Sequence, residues 1–222
     1  MVLSFFGKSS EGLDTVVSGS IAMLNEARHS FDLAAMIVVS GGDAAVVADD
    51  IRSTDDRINE AERDLRSQLV VHITVQGATD VGEVMGLILL LKKIERIGDQ
   101  AKNILDLAES GVSFVSDDDA EELTEQRQVI SMLFAEAADL LAATEPEPAD
   151  FLERGGALSD SIQATIESYL GSDRPGHEVV PRAIYARYLK RIVANLIGVV
   201  RSATEPINTG DDDRDAFGDL DD

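Results

Sequence analysis

Long runs of apolar side chains at helical spacing, broken only by short polar or glycine stops, restrict this chain to a bundle of long helices. One run extends from Asp43, a plausible N-cap, to about Gln76. In it Ile51, Ile58, Leu65 and His72 recur every seven residues, and Ala48, Asp55, Glu62 and Leu69 recur beside them. The next run extends from Thr79-Asp80 to Ser110-Gly111. There Val84, Ile88, Leu91, Ile94, Ile97, Ala101, Ile104 and Ala108 form one stripe. About 30 helical residues at about 1.5 Å each make a rod of roughly 45 Å. Rods of that length joined by tight turns pack antiparallel.

The same reading predicts six helices and an all-α fold. The first covers about Gly12–Val39 and stops at Gly41-Gly42. A fourth, capped by Ser116–Asp119, ends near Thr144, before the breaker Glu145-Pro146-Glu147-Pro148. A fifth covers about Ala149–Leu170, with Gly155-Gly156 weakening its start, and a sixth covers about Glu178–Thr204. Aromatic residues make up only 5% and tryptophan is absent, which suits helices packed through aliphatic side chains better than a β-sandwich. A faint internal repeat relates IERIGDQAKNI at 94–104 to LKRIVANLIGV at 189–199. The chain therefore reads as two related antiparallel three-helix bundles, residues 10–112 and 116–205. An acidic tail, 206–222, has the composition of a disordered segment.

Composition removes several functions. With no cysteine, disulfides, thiolate metal sites and cysteine nucleophiles are excluded. The start is too polar after Phe6 for a signal peptide, and no stretch reaches the roughly 18 apolar residues of a membrane span. A cytoplasmic location is the expectation. The net charge of −23 disfavours nucleic acid and anionic membranes and favours cations and basic partner surfaces. No glycine-rich phosphate loop, nucleophile elbow or HExxH motif is present, and no serine has a positioned His–acid pair, so no catalytic residue is predicted.

The chemistry-bearing residues lie on the two long helices. Glu95 and Asp99 are four apart and share a face. Asp55, Asn59 and Glu62 share a face of the preceding helix, beside its apolar stripe, where carboxylates are costly unless neutralised. Asn59 lies 18 residues before Gly77 and Glu95 lies 18 after it, so in an antiparallel pair the two sets meet. Oxygen ligands of this kind suit Mg²⁺, Ca²⁺ or Mn²⁺, and carboxylate helices also hold iron. The competing reading is ordinary pairing, Glu95 with Arg96 or Lys92 and Asp99 with Lys102.

The segment ERIGDQAKNI resembles the signature of the PhoU family of phosphate-uptake regulators. The match runs through Glu95, Arg96, Ile97, Gly98, Asp99, Ala101, Asn103 and Ile104. TDDRINEAE is similar to the family's helix-two pattern through Asp55, Asn59 and Glu62. The resemblance implies two three-helix repeats and metal ions (Mg, Mn, Fe or Ca) on the acidic faces. It also implies a regulatory, non-enzymatic role with a phosphate ABC transporter and a sensor histidine kinase, as a homodimer. The alternatives are an accessory subunit of a phosphate or metal-ion transporter, and a purely structural helical oligomer. In the second repeat Lys190 replaces the acid and Ala194 replaces the aspartate, and helix five near Leu152, Gly156 and Ser159 lacks the acidic set. At most one metal site, in the first half, is expected. Gly98 reads as a point of close helix approach. His29 and His72 read as surface and packing residues, and the basic set Arg182, Arg187, Lys190, Arg191 and Arg201 as ordinary surface charge or a partner contact.

Overall fold

The computed structural model describes residues 11–76, 80–115 and 120–205. Six helices account for nearly all of them: α1 Glu11–Ser40, α2 Ala45–Gln76, α3 Val81–Glu109, α4 Ala120–Ala142, α5 Ala149–Leu170 and α6 Gly176–Thr204. No strand occurs among the described residues. The chain is all-α, as its periodicity predicts. The proposed caps at Ser116–Asp119 and the acidic tail lie outside the described residues.

Local chemistry sets the helix ends. After α1 the chain turns through Gly41 and Gly42, both at positive φ (79° and 142°), a region other residues rarely enter. The Asp43 carboxylate then accepts the Ala45 N–H at 3.0 Å and starts α2. The start of one helix differs from the sequence reading. α6 begins two residues early, directly after Pro175, because proline supplies a φ of −57° suited to a helix entrance. α5 has the expected span, Ala149–Leu170, and Gly155-Gly156 does not weaken its start. A Cβ on Gly155 would lie 2.9 Å from Ile197 Cγ1, so that glycine admits α6 rather than ending α5.

α1, α3, α6 and α4 form a central ring in which each packs on the next. α2 lies across α1 and α3, and α5 lies mainly on α6. The apolar core is continuous, from Leu24 and Phe31 through Leu91 and Ile97 to Phe134, Leu189 and Leu196. Phe31 and Phe134 stack at 5.5 Å where α1 meets α4. The connector after α3 is tied down by a hydrogen bond from Phe114 N–H to the Val38 carbonyl, 2.8 Å. Glycines set the closest approaches: a Cβ on Gly86 would lie 2.8 Å from the Ser202 carbonyl oxygen of α6. No helix of the described residues is long and apolar enough to cross a membrane.

Candidate cation seat between the second and third helices

The heptad spacing that places Ile51, Ile58 and Leu65 in the core carries Asp55 and Glu62 inward with them. Both acids are buried, at 7% and 6% exposure. Gly98 lets α3 come close enough to matter here. A Cβ at that position would meet Ile58 Cδ1 at 3.2 Å and Asp55 Oδ1 at 3.7 Å. Asp55 is thereby enclosed by the residues that carry the α3 signature.

Each inward acid has a basic partner. Lys102 Nζ donates to Asp55 Oδ2 at 2.7 Å and to Asp99 Oδ1 at 3.4 Å, so one ammonium joins the two aspartates across the α2–α3 seam. Asn59 Nδ2 donates to the same Asp55 oxygen at 3.3 Å. Arg66 holds Glu62 Oε1 at 2.9 Å, one turn along α2. Lys92 holds Glu95 Oε1 at 2.8 Å, one turn back on α3. The other Glu95 oxygen, Oε2, is buried with no hydrogen-bond partner. Burial opposes the charge on Lys102, but the hydrogen bond and charge of Asp55, with the charge of Asp99, outweigh it. They hold the ammonium above its ordinary pKa.

Lys102 reaches Asp55, and Gly98 lies against Ile58 and Asp55, so the signature-bearing stretch of α3 packs on the acid-bearing stretch of α2. Along the seam, Asp55, Lys102 and Asp99 form one set of contacts, and Glu62 and Glu95 are each paired within their own helix. Among the described residues no three His, Asp or Glu side chains converge closely enough to ligate a metal as they stand. The oxygens of Asp55 and Asp99 nonetheless share one cation position, and it is filled by Lys102.

Arg66 was missed in the sequence, although its i, i+4 spacing from Glu62 was visible. The sharing of Lys102 across helices needed the register. A second cluster was also missed. His72 Nε2 bonds Asp80 Oδ2 at 3.0 Å. Glu83 Oε1 is buried beside that pair with no hydrogen-bond partner. Burial, then the charges of Asp80 and Asp14, push Glu83 up to about 7, against the opposing pull of His72. His29 pairs with Asp50 at 2.8 Å on the surface. Of the basic α6 residues, Arg182 is buried over the Phe114 ring at 5.4 Å, and Lys190 donates to Gln163 at 2.8 Å. Both serve internal packing.

Comparison with known proteins bears on the first half of the chain and on the fold. The sequence profile of the PhoU domain family matches residues 21–108, the span that contains all five acidic-face residues. The fold is that of the crystal structure of PhoU from Pseudomonas aeruginosa, with a TM-score of 0.69 and 20% identity, covering 86% of this chain and 95% of that one. No curated protein matches the chain by sequence.

Proposed function

From the PhoU domain match over its first half, we propose that this chain is a regulator of phosphate uptake and of the phosphate-starvation response. It acts as a helical adaptor between a phosphate transporter and a sensor kinase, by contact and without catalysis. The observation that carries this reading is the coincidence of that match with the acidic α2–α3 seam: the signature residue Asp99 and the α2 residue Asp55 of the same domain share Lys102.

Within this reading the seam takes a divalent cation. Asp55 and Asp99 are the residues that hold it, with Asn59 beside them and Glu62 and Glu95 further along their own helices. The shared cation position of the two aspartates and the unpartnered Glu95 Oε2 support this. Carboxylate and amide oxygens suit a hard ion. A bound ion supplies positive charge that joins α2 to α3.

Deleting the gene in its source organism tests the regulatory role. The expected result is a phosphate-starvation reporter switched on in high phosphate. An unchanged reporter with reduced phosphate uptake points to a transporter subunit instead, and no change in either refutes the phosphate role.

A further inference from the structure

The other seam of α2, the one it makes with α1, opens into a groove of about 390 Å³. Gly19, Ala22 and Met23 of α1 line one side, and Ile58, Ala61 and Leu65 of α2 line the other. Small residues keep it open: Ala22 is exposed, and Gly19 and Ala61 are half-buried. A Cβ on Gly19 would lie 2.7 Å from Leu65 Cδ2, so the α1 backbone lies directly under that leucine. From Gly19 to Glu26 the groove follows about two turns of α1, roughly 11 Å. That length takes two or three anchors at i, i+4, i+7 spacing from a helix laid into it. The rim is acidic. Glu26 is matched by Arg57 at 2.6 Å. Asp64, on the rim, and Glu60, one turn away along the same edge of α2, are exposed and make no ion pair among the described residues. Two uncompensated carboxylates beside an apolar groove, on a chain of net charge −23, select an occupant with an apolar face and a positive flank. A second copy of this chain would bring further negative charge to the same rim.

We propose that the α1–α2 groove is the docking site for a basic amphipathic helix of a partner protein. Its large aliphatic side chains lie over Gly19, Ala22 and Ala61, and its Lys or Arg residues lie against Asp64 and Glu60. This rests on the adaptor reading above and names the surface through which that contact is made. The groove also adjoins the α3 signature segment. Ile58 lines the groove, and its Cδ1 lies 3.2 Å from where a Cβ on Gly98 would stand, so a docked helix is one side chain away from α3.

The probe is a synthetic Leu/Lys helix with leucine at i, i+4 and i+7. A scrambled peptide of the same composition and a Leu/Glu helix of the same pattern are the controls. Fluorescence anisotropy at physiological ionic strength measures their binding to the full-length wild type, to Ala22→Trp and to Glu60→Lys/Asp64→Lys, and thermal melts confirm that each variant folds. Ala22→Trp fills the groove from an exposed position and should weaken the Leu/Lys helix at least about tenfold. The charge-reversed double variant should weaken it at least about threefold and bind the Leu/Glu helix better than wild type does. Amide shifts in ¹⁵N-labelled wild type should centre on residues 19–26 and 57–68. Equal binding of the scrambled peptide, or unchanged binding by Ala22→Trp, would show attraction by surface charge alone and overturn the groove. Equal binding of the Leu/Glu helix by wild type would overturn the basic partner. In the source organism Ala22→Trp should switch on the phosphate-starvation reporter as gene deletion does. A reporter that responds to deletion but not to Ala22→Trp overturns the groove and leaves the regulatory role standing, and one that responds to neither overturns that role.

Discussion

Lys102 Nζ lies 2.7 Å from Asp55 Oδ2, joining α3 to α2 across 47 residues of sequence at a point where Asp55 is nearly closed to water. The same ammonium reaches Asp99 at 3.4 Å, but there the carboxylate side chain is 43% exposed. One lysine therefore makes two contacts of unequal weight. Exposed pairs contribute about 0–1 kcal/mol, and breaking a buried one costs about 3–5 kcal/mol. Asp55→Asn should fall between these limits, at roughly 1–3 kcal/mol, and Asp99→Asn below about 1 kcal/mol. Urea titrations of the two variants measure the difference. Equal losses would show that the α2–α3 seam is not held at Asp55.

Much of this arrangement was legible in the sequence. The stripe Ile51–Ile58–Leu65 placed Asp55 and Glu62 beside the core because helical periodicity is a local property. The pairings of Lys92 with Glu95 and Lys102 with Asp99 follow from i, i+3 spacing on one helix. The reach of Lys102 to Asp55 did not follow, because interhelical register depends on where each helix ends and a small error there moves every pairing by most of a turn. The span of α5 was legible, but the reason for Gly155 within it was not. It is the Ile197 side chain on a helix far along the chain, and local propensity carries no record of it.

The Glu83 cluster gives the chain a specific pH dependence. Glu83 titrates near 7 when folded against an ordinary value of 4.5. The folded state thus holds its proton more tightly than the unfolded one. The stability this contributes is complete below pH 4.5 and is lost as pH rises to about 7. Glu83→Gln removes that component. Denaturation of both proteins from pH 4.5 to 8 should show the variant gaining on wild type as pH rises, with most of the gain below about pH 7. A constant difference across the range would mean that Glu83 titrates normally.

Two glycine substitutions should act in opposite directions. Gly86→Ala places a Cβ against the Ser202 backbone oxygen, where neither helix can yield by a side-chain rotation. Overpacking of this kind costs about 1–3 kcal/mol, against about 1 kcal/mol gained in helix propensity, so its melting temperature should fall. Gly156→Ala meets nothing within 4 Å in the middle of α5. It should gain about 0.5–1 kcal/mol and melt higher. Scanning calorimetry of the pair checks both signs, and a stabilised Gly86→Ala would show that α3 and α6 are not packed as closely as described.

The most direct test of the cation seat is paramagnetic broadening of amide resonances in ¹⁵N-labelled protein as Mn²⁺ is added. The acidic seam predicts that amides around Asp55, Asn59 and Asp99 broaden first, and that this early broadening disappears in Asp55→Asn/Asp99→Asn. Broadening that begins elsewhere on the acidic surface, or that persists unchanged in the double variant, would contradict the assignment of the seam as the functional site.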